Sequence, residues 1–232
     1  MERICLVGGD ARMEYAARAL EAVGYRVARI SRDEIEQARN QGDLVVGGGL
    51  PAGCGGLDYL QNEAFLYDNA RLTAEGALVL LGSSTQGELL GADVGVIGMG
   101  RIAQCLCPLL HAVGAHVTVY ARRAEALSRA RAMGAATVQL EERLPACAVQ
   151  HEMICNTVPH VLFDSALLSL AKRDVLLLEL ASAPGGFDRA AVEALGLQVV
   201  NGQGLPGKYA PRAAGERIAS YVLDALKGEV RA

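Results

Sequence analysis

Residues 98–103 read GMGRIA, a G-x-G-x-x-G/A pattern, and residues 117–123 read VTVYARR, an apolar stretch running into two arginines. The first pattern suits a diphosphate. Gly98 permits a tight turn, Gly100 lets backbone approach the diphosphate, and Ala103 is small enough for close helix–strand contact. The helix that follows presents free N–H groups and a partial positive charge to the phosphates. Met99, Arg101 and Ile102 complete the predicted grip. The second pattern bears on a ribose. An NAD site ends its second strand in a carboxylate that accepts from the ribose hydroxyls. That position falls at Ala121, 23 residues after Gly98, and no acid is there. Arg122 and Arg123 follow, and a guanidinium pairs bidentately with phosphate. The expected cofactor is therefore NADP rather than NAD, although Glu125 stands close by.

Four further stretches carry polar groups with possible chemistry. In NTVP, Asn156 and Thr157 suit a nicotinamide or a substrate carboxylate, and Thr157, Val158 and Pro159 are assigned to the cofactor. The alternative is a turn imposed by Pro159. ELASAPGGFD offers Ser182 and the successive Gly185 and Gly186 amides, which make an anion nest. Glu179 fits either a structural role or one orienting the nicotinamide amide, with the structural role preferred. GLPGKYAP reads as a loop presenting Lys208, either a cation for a carboxylate or a solvated lysine. In GGDAR, Asp10 fits a helix N-cap. Arg12 sits in the first turn, where a cation gains nothing from the helix dipole, and is free to reach a carboxylate.

Alternating strands and helices must position these groups. Strand patterns cover 4–9, 25–30 and 43–49, with helical periodicity at 11–24 and a polar, helix-prone 31–40. A glycine-rich loop follows at 47–56. A helix starts at Leu72, with Thr73 a plausible cap. A second series then runs strand 93–97, helix 101–114, strand 116–121, helix 125–134, a short strand 136–140, strands 151–158 and 174–182, helix 188–196 and strand 197–203. An amphipathic helix, 213–228, closes the chain. The pattern predicts an α/β fold with two Rossmann-like parallel-sheet units in series, the second binding the dinucleotide. The predicted boundaries are 1–71 for a small flavodoxin-like substrate-side domain, 72–86 for a linking helix, 87–207 for the dinucleotide domain, and 208–232 for the closing helix.

The chain has 232 residues, 51% apolar and 21% charged, with a net charge of −4. An acidic balance argues against nucleic-acid and membrane-surface partners. No apolar run approaches the roughly 18 residues of a membrane span, and the N-terminus lacks a signal pattern, so a cytoplasmic location is expected. The cysteines at 5, 54, 105, 107, 147 and 155 form no C-x-x-C pair and do not combine with the histidines at zinc-ligand spacing. They are read as buried thiols, and no metal is expected.

GGDAR, LTAEGAL (72–78), VGVIGMGRIA, VTVYARR, NTVP, LASAPGGFD and GLPGKYAPRAAG occur in that order over most of the chain. The set resembles the dipicolinate synthase A-subunit family, most specifically at LASAPGGFD and GLPGKYAP. The resemblance implies NADP-linked oxidation of dihydrodipicolinate, or its hydrated precursor, in the lysine-branch pathway. It also implies a partner, the flavoprotein-like B-subunit, and a place in the mother cell during sporulation. A homo-oligomer, such as a dimer, is expected. Two departures stand out: the first domain looks shorter than the family's between Leu50 and Asn62, and Glu179 sits where Asp is expected.

The mechanism expected on that resemblance is hydride transfer driven by aromatisation of the substrate ring. Orientation of two carboxylates and one base suffices. Arg12 and Lys208 are the candidate cations, and Asn156, Thr157 and Ser182 the polar positioners. Lys208 is the first candidate base and His160 the second. A rival reading is a 2-hydroxyacid dehydrogenase, but the late histidine that such enzymes use as acid/base is absent, since none follows His160. A second rival is a nucleotide-binding subunit without catalysis of its own.

Overall fold

The computed structural model describes residues 3–141 and 144–229. Two compact units divide the chain: Met1–Leu72 with Pro206–Ala232, and Thr73–Leu205. The first contains β1 (Arg3–Val7), α1 (Ala11–Ala22), β2 (Arg26–Ile30), α2 (Ile35–Asn40), β3 (Leu44–Gly47) and β4 (Leu57–Asp58). Helix α3 (Glu63–Ser84) carries the chain from the first unit into the second. The second continues with β5 (Asp93–Ile97), α4 (Arg101–Ala112), β6 (His116–Ala121), α5 (Ala124–Ala132), β7 (Ala136–Gln139), β8 (Met153–Asn156), α6 (Ser165–Leu168), β9 (Leu176–Glu179), α7 (Arg189–Leu195) and β10 (Gln198–Asn201). Helices α8 (Leu205–Tyr209) and α9 (Pro211–Glu229) end the described chain.

The first unit holds a parallel sheet in the order β2-β1-β3-β4. Asp10 caps α1, its carboxylate accepting from Arg12 N at 2.9 Å. Met13, Ala16 and Leu20 then fall on one face and are buried with Ile218, Ala219 and Val222 of α9. The two helices meet at Gly215, where an added Cβ would lie 2.5 Å from the carbonyl oxygen of Arg12. Only glycine permits that approach.

The second unit holds a six-stranded parallel sheet, β10-β9-β8-β5-β6-β7. Strand order reverses between β5 and β8, which is the switch point where the carboxyl ends of the strands open a crevice. Alternation along the strands feeds two cores. Val94, Val96, Val117, Val119 and Leu178 pack with Ala77 and Leu81 of α3 and Leu106 and Leu110 of α4. Ile97, Tyr120, Ile154 and Leu177 pack on the opposite face with Phe163, Leu168 and Phe187. Helices therefore cover both faces, as an all-parallel sheet requires.

Two local expectations are corrected. Helix α3 starts at Glu63, not Leu72. The Asn62 side chain accepts from Phe65 N at 2.8 Å and caps it, while Thr73 lies in the helix interior, 5% exposed. The GLPGKYAP segment is helical rather than a loop. Pro206 sits in the first turn of α8 and Pro211 opens α9, positions where a missing N–H costs nothing. The thiols also divide. Cys5, Cys54, Cys107 and Cys155 are buried, but Cys147 is exposed. Burial pushes the Cys107 thiol up to about 12 and raises Cys155 further, so both stay protonated. Among the described residues no helix is long and apolar enough to cross a membrane.

Candidate functional site

Strand β5 delivers the chain to Gly98, whose φ is +92°, in the left-handed region. Gly98 N donates to Tyr120 O at 2.8 Å, which ties the turn to β6. An added Cβ at Gly98 would lie 2.6 Å from Thr157 Oγ1 and 2.8 Å from Val158 Cγ2. Gly98 is thus fixed both by its dihedral and by its neighbours. Gly100 differs: it is the N-cap of α4 in extended conformation, and a Cβ there would meet nothing within 4 Å. Protein packing does not require its small size, and the space in front of it is open. Ala103, by contrast, is completely buried against the sheet. Helix α4 has 12 residues, and its N-cap, Gly100, supplies no side-chain cap, so the positive end of the helix dipole lies at this turn.

A cavity of about 990 Å³ opens from this turn. Its walls combine Gly98, Met99 and Gly100 with Ala121, Arg122 and Arg123 from the end of β6, and with Thr157, Val158, Pro159 and His160 from the end of β8. Both arginines are exposed at this rim. The cofactor residues expected from the sequence thus converge on one space, apart from Arg101 and Ile102, which lie in the first turn of α4 and outside its lining. The glycine turn and the N-terminus of α4 fit the diphosphate of a dinucleotide. His160 belongs to this cavity in the second unit, whereas Lys208 lies on α8 in the first.

Several wall residues carried no sequence signal. Leu140, Glu141 and Leu144 follow β7 and reach the cavity through the sheet's crossover, not through any motif. Tyr120 is 1% exposed and also lines it. Its hydroxyl lies 2.7 Å from His151 Nε2, and burial raises the phenol. Burial also holds the His151 imidazole below its ordinary value, opposed by Asp93.

At the carboxyl ends of β8 and β9 the polar residues turn inward. Asn156 is fully buried. Its amide nitrogen donates to Glu179 Oε1 at 2.7 Å and to Val158 O at 2.9 Å. Both N–H groups are thus engaged inside the protein. Thr157 Oγ1 donates to Ile97 O at 2.7 Å and pins the end of β8 to β5. Glu179, 7% exposed, accepts in addition from Ala181 N at 3.0 Å and Gly186 N at 2.6 Å. Ser182 is exposed in the loop after β9.

In the first unit Arg12 is not a free cation. Its fork is engaged by Asp10, with Nε to Oδ1 at 2.9 Å and Nη2 to Oδ2 at 2.7 Å. Asp10 is held below the usual carboxylate range chiefly by that hydrogen bond, and Arg12 is raised in turn. Lys208 is exposed.

Comparison with known proteins places this geometry. The profile described as D-isomer specific 2-hydroxyacid dehydrogenase, NAD binding domain, matches residues 69–205. The dipicolinate synthase A-subunit of Bacillus subtilis (strain 168) is 34% identical over 164 residues, covering 71% of this chain and 54% of that protein. The match thus spans about half the length of that curated relative. The crystal structure of dipicolinate synthase, A chain, from Bacillus subtilis superposes with a TM-score of 0.83 at 22% identity, over 99% of this chain and 97% of that one. The A-subunit structure from Bacillus halodurans gives 0.83 at 22%, over 97% of each chain. D-lactate dehydrogenase from Escherichia coli gives 0.63 at 14%, over 98% of this chain and 96% of that one. At these identities the structures establish a shared fold.

Proposed function

The chain belongs to the family of D-isomer specific 2-hydroxyacid dehydrogenase NAD-binding domains, and from that premise we propose that it is the NADP-dependent oxidoreductase component of an enzyme acting on dihydrodipicolinate or its hydrated precursor. The observation that carries the cofactor reading is the single cavity that joins the Gly98–Gly100 turn to Arg122 and Arg123, with no carboxylate at Ala121. The turn and the N-terminus of α4 hold the diphosphate, and the two arginines hold a 2′-phosphate. The 34% identity to the dipicolinate synthase A-subunit supports the substrate.

When bound, the nicotinamide supplies the hydride acceptor. The chain's own part is to orient and to move one proton. The substrate loses a hydride from one ring carbon and a proton from its neighbour, and the ring becomes aromatic. Lys208, exposed on α8, is the proton acceptor in this reading, acting as its neutral amine, with His160 the second candidate and Ser182 a polar contact. Asn156, Thr157 and Arg12 act indirectly, through the contacts that engage their polar atoms. Residues 1–71 serve the substrate and 87–207 the cofactor. The flavoprotein-like B-subunit of dipicolinate synthase is the proposed partner, in the sporulating mother cell, and the assembly is a homo-oligomer.

The test is turnover. The purified chain, with and without the B-subunit, is given NADP⁺ or NAD⁺ and enzymatically generated dihydrodipicolinate, and reduced nicotinamide is followed by absorbance. NADP-dependent formation of dipicolinate supports the reading. Dinucleotide binding with no turnover in either arrangement would reduce the protein to a nucleotide-binding subunit.

A further inference from the structure

The first unit repeats the local pattern of the second. In each, a strand ends in a glycine turn, a 12-residue helix follows, and the next strand pairs in parallel beside the first. Gly8 N donates to Ile30 O at 3.1 Å at the end of β2, as Gly98 N donates to Tyr120 O at the end of β6. Strand order around the turn is also the same, β2-β1-β3 in one unit and β6-β5-β8 in the other. Arg32, two residues past Ile30, then occupies the place that Arg122 holds past Tyr120. A cavity of about 670 Å³ lies at this end of the first sheet, lined by Gly8, Gly9, Arg29, Ile30, Ser31 and Arg32.

The charge in this cavity is unbalanced. Neutral acceptors hold Arg32 in place: its Nη1 donates to Gly49 O at 3.0 Å and its Nη2 to Gly48 O at 2.9 Å. Those carbonyls orient the guanidinium without neutralising it. Arg29 is exposed and, among the described residues, has neither a hydrogen bond nor an ion pair. The carboxylates of the surrounding segments are committed elsewhere. Asp10 is engaged by the Arg12 fork. Glu34 accepts from Ser31 N at 2.8 Å and Ser31 Oγ at 2.9 Å. Asp58 accepts from the backbone N–H groups of Gly49, Leu50 and Leu60. Asp33 is exposed and outside the lining. A lone surface arginine is merely solvated, but here two share one concave space with open backbone. An added Cβ at Gly9 would meet nothing within 4 Å, and the Gly9 N–H has no partner among the described residues.

The same geometry limits the ligand. The N-cap of α4 is a glycine, whereas the N-cap of α1 is Asp10, whose carboxylate already takes the Arg12 N–H. A diphosphate laid across the start of α1 would meet that carboxylate, and like charges repel. Met13 also closes on the turn, its Cγ 3.3 Å from where a Gly8 Cβ would stand. What remains open is the arginine end. We propose that the first unit carries a second anion site, in which Arg29, Arg32 and the Gly9 N–H hold a single phosphate group, as inorganic phosphate or a phosphomonoester. Phosphate suits these donors because its oxygens accept from several N–H groups at once and match the planar guanidinium fork. Arg32 keeps N–H groups beyond the two given to Gly48 and Gly49. The inference stands on the first unit alone and does not depend on the dinucleotide reading.

The experiment reads the two units separately. The intact protein is titrated with inorganic phosphate, and backbone amide resonances are followed by NMR. Gly9 should shift along a saturating curve, while Gly98 and Gly100 report on the second unit. Arg29→Gln removes a side chain that has no partner to lose, and should raise the phosphate concentration at half-saturation of Gly9 roughly tenfold. Arg26→Gln, an exposed cation at the other end of β2, should leave it unchanged. Adenosine monophosphate, titrated in parallel, distinguishes the sources. Tighter saturation than inorganic phosphate supports an organic phosphomonoester, and equal or weaker saturation supports the free anion. A Gly9 response that is absent, or that Arg29→Gln does not weaken, overturns the proposal, as do phosphate shifts confined to Gly98 and Gly100. Saturation of Gly9 by dipicolinate at lower concentration than by either phosphate also overturns it, because the site would then be one for carboxylates.

Discussion

If the proposed NADP reading holds, converting Arg122 to Asp and Arg123 to Ser should abolish the preference for the 2′-phosphate. The pair is chosen so that folding survives. Arg123 is the N-cap of α5 with φ −87° and ψ 134°, and its side chain makes no cap hydrogen bond. Serine at that position supplies one. Arg122 contributes its carbonyl oxygen to a bond from Gln139 Nε2, which any residue retains. Asp at 122 offers the ribose hydroxyls an acceptor. Both guanidinium groups are exposed, so each charge-assisted contact is taken near the low end, about 1–1.5 kcal/mol. Losing two costs about 2–3 kcal/mol, or roughly 30- to 150-fold in Kd for NADP. The change for NAD should stay within roughly threefold, about 0.6 kcal/mol. Titration calorimetry with both dinucleotides at low salt measures the ratio. Added salt should shrink the wild-type preference as the exposed charges are screened. Equal weakening of NADP and NAD would return the two arginines to a solvated turn and refute the cofactor assignment.

The two glycines of the turn should separate fold from binding. Gly98→Ala meets Thr157 Oγ1 and an unfavourable φ, so thermal unfolding should show a loss of about 2 kcal/mol or more. Gly100→Ala meets no protein atom, so its melting temperature should match wild type while dinucleotide affinity falls roughly tenfold. Gly215→Val should destabilise the first unit by about 2–4 kcal/mol in denaturant titration, because α9 cannot keep its approach to the Arg12 carbonyl. His151 adds a pH dependence. Its folded value lies below the unfolded one, so the unfolded chain takes up the proton first. Stability should be level above about pH 6.5 and decline below it. His151→Gln, which keeps a partner for Tyr120, should flatten that decline in melts across the pH range.

The amino-acid sequence by itself determined the alternation of strands and helices, and hence the parallel α/β class, because apolar periodicity is a local property. It also determined the turn chemistry at Gly98 and Gly100, since backbone freedom and close approach belong to glycine wherever it stands. It marked the lack of a carboxylate at Ala121 for the same reason: identity and spacing are written in one dimension. Helix starts were less legible. Asn62, which caps α3, and Pro211, which opens α9, are start signals visible only once their neighbours are known to be helical. The tertiary structure decided which polar atoms remain available. Asn156 and Arg12 look alike in sequence as polar residues following strands. In the fold the Asn156 amide is closed by Glu179, 23 residues later and paired with it across the sheet, and the Arg12 fork is closed by Asp10. Hydrogen-bond capacity is exhausted by partners in three dimensions, and sheet pairing, which brings those partners together, leaves no periodic trace in the chain.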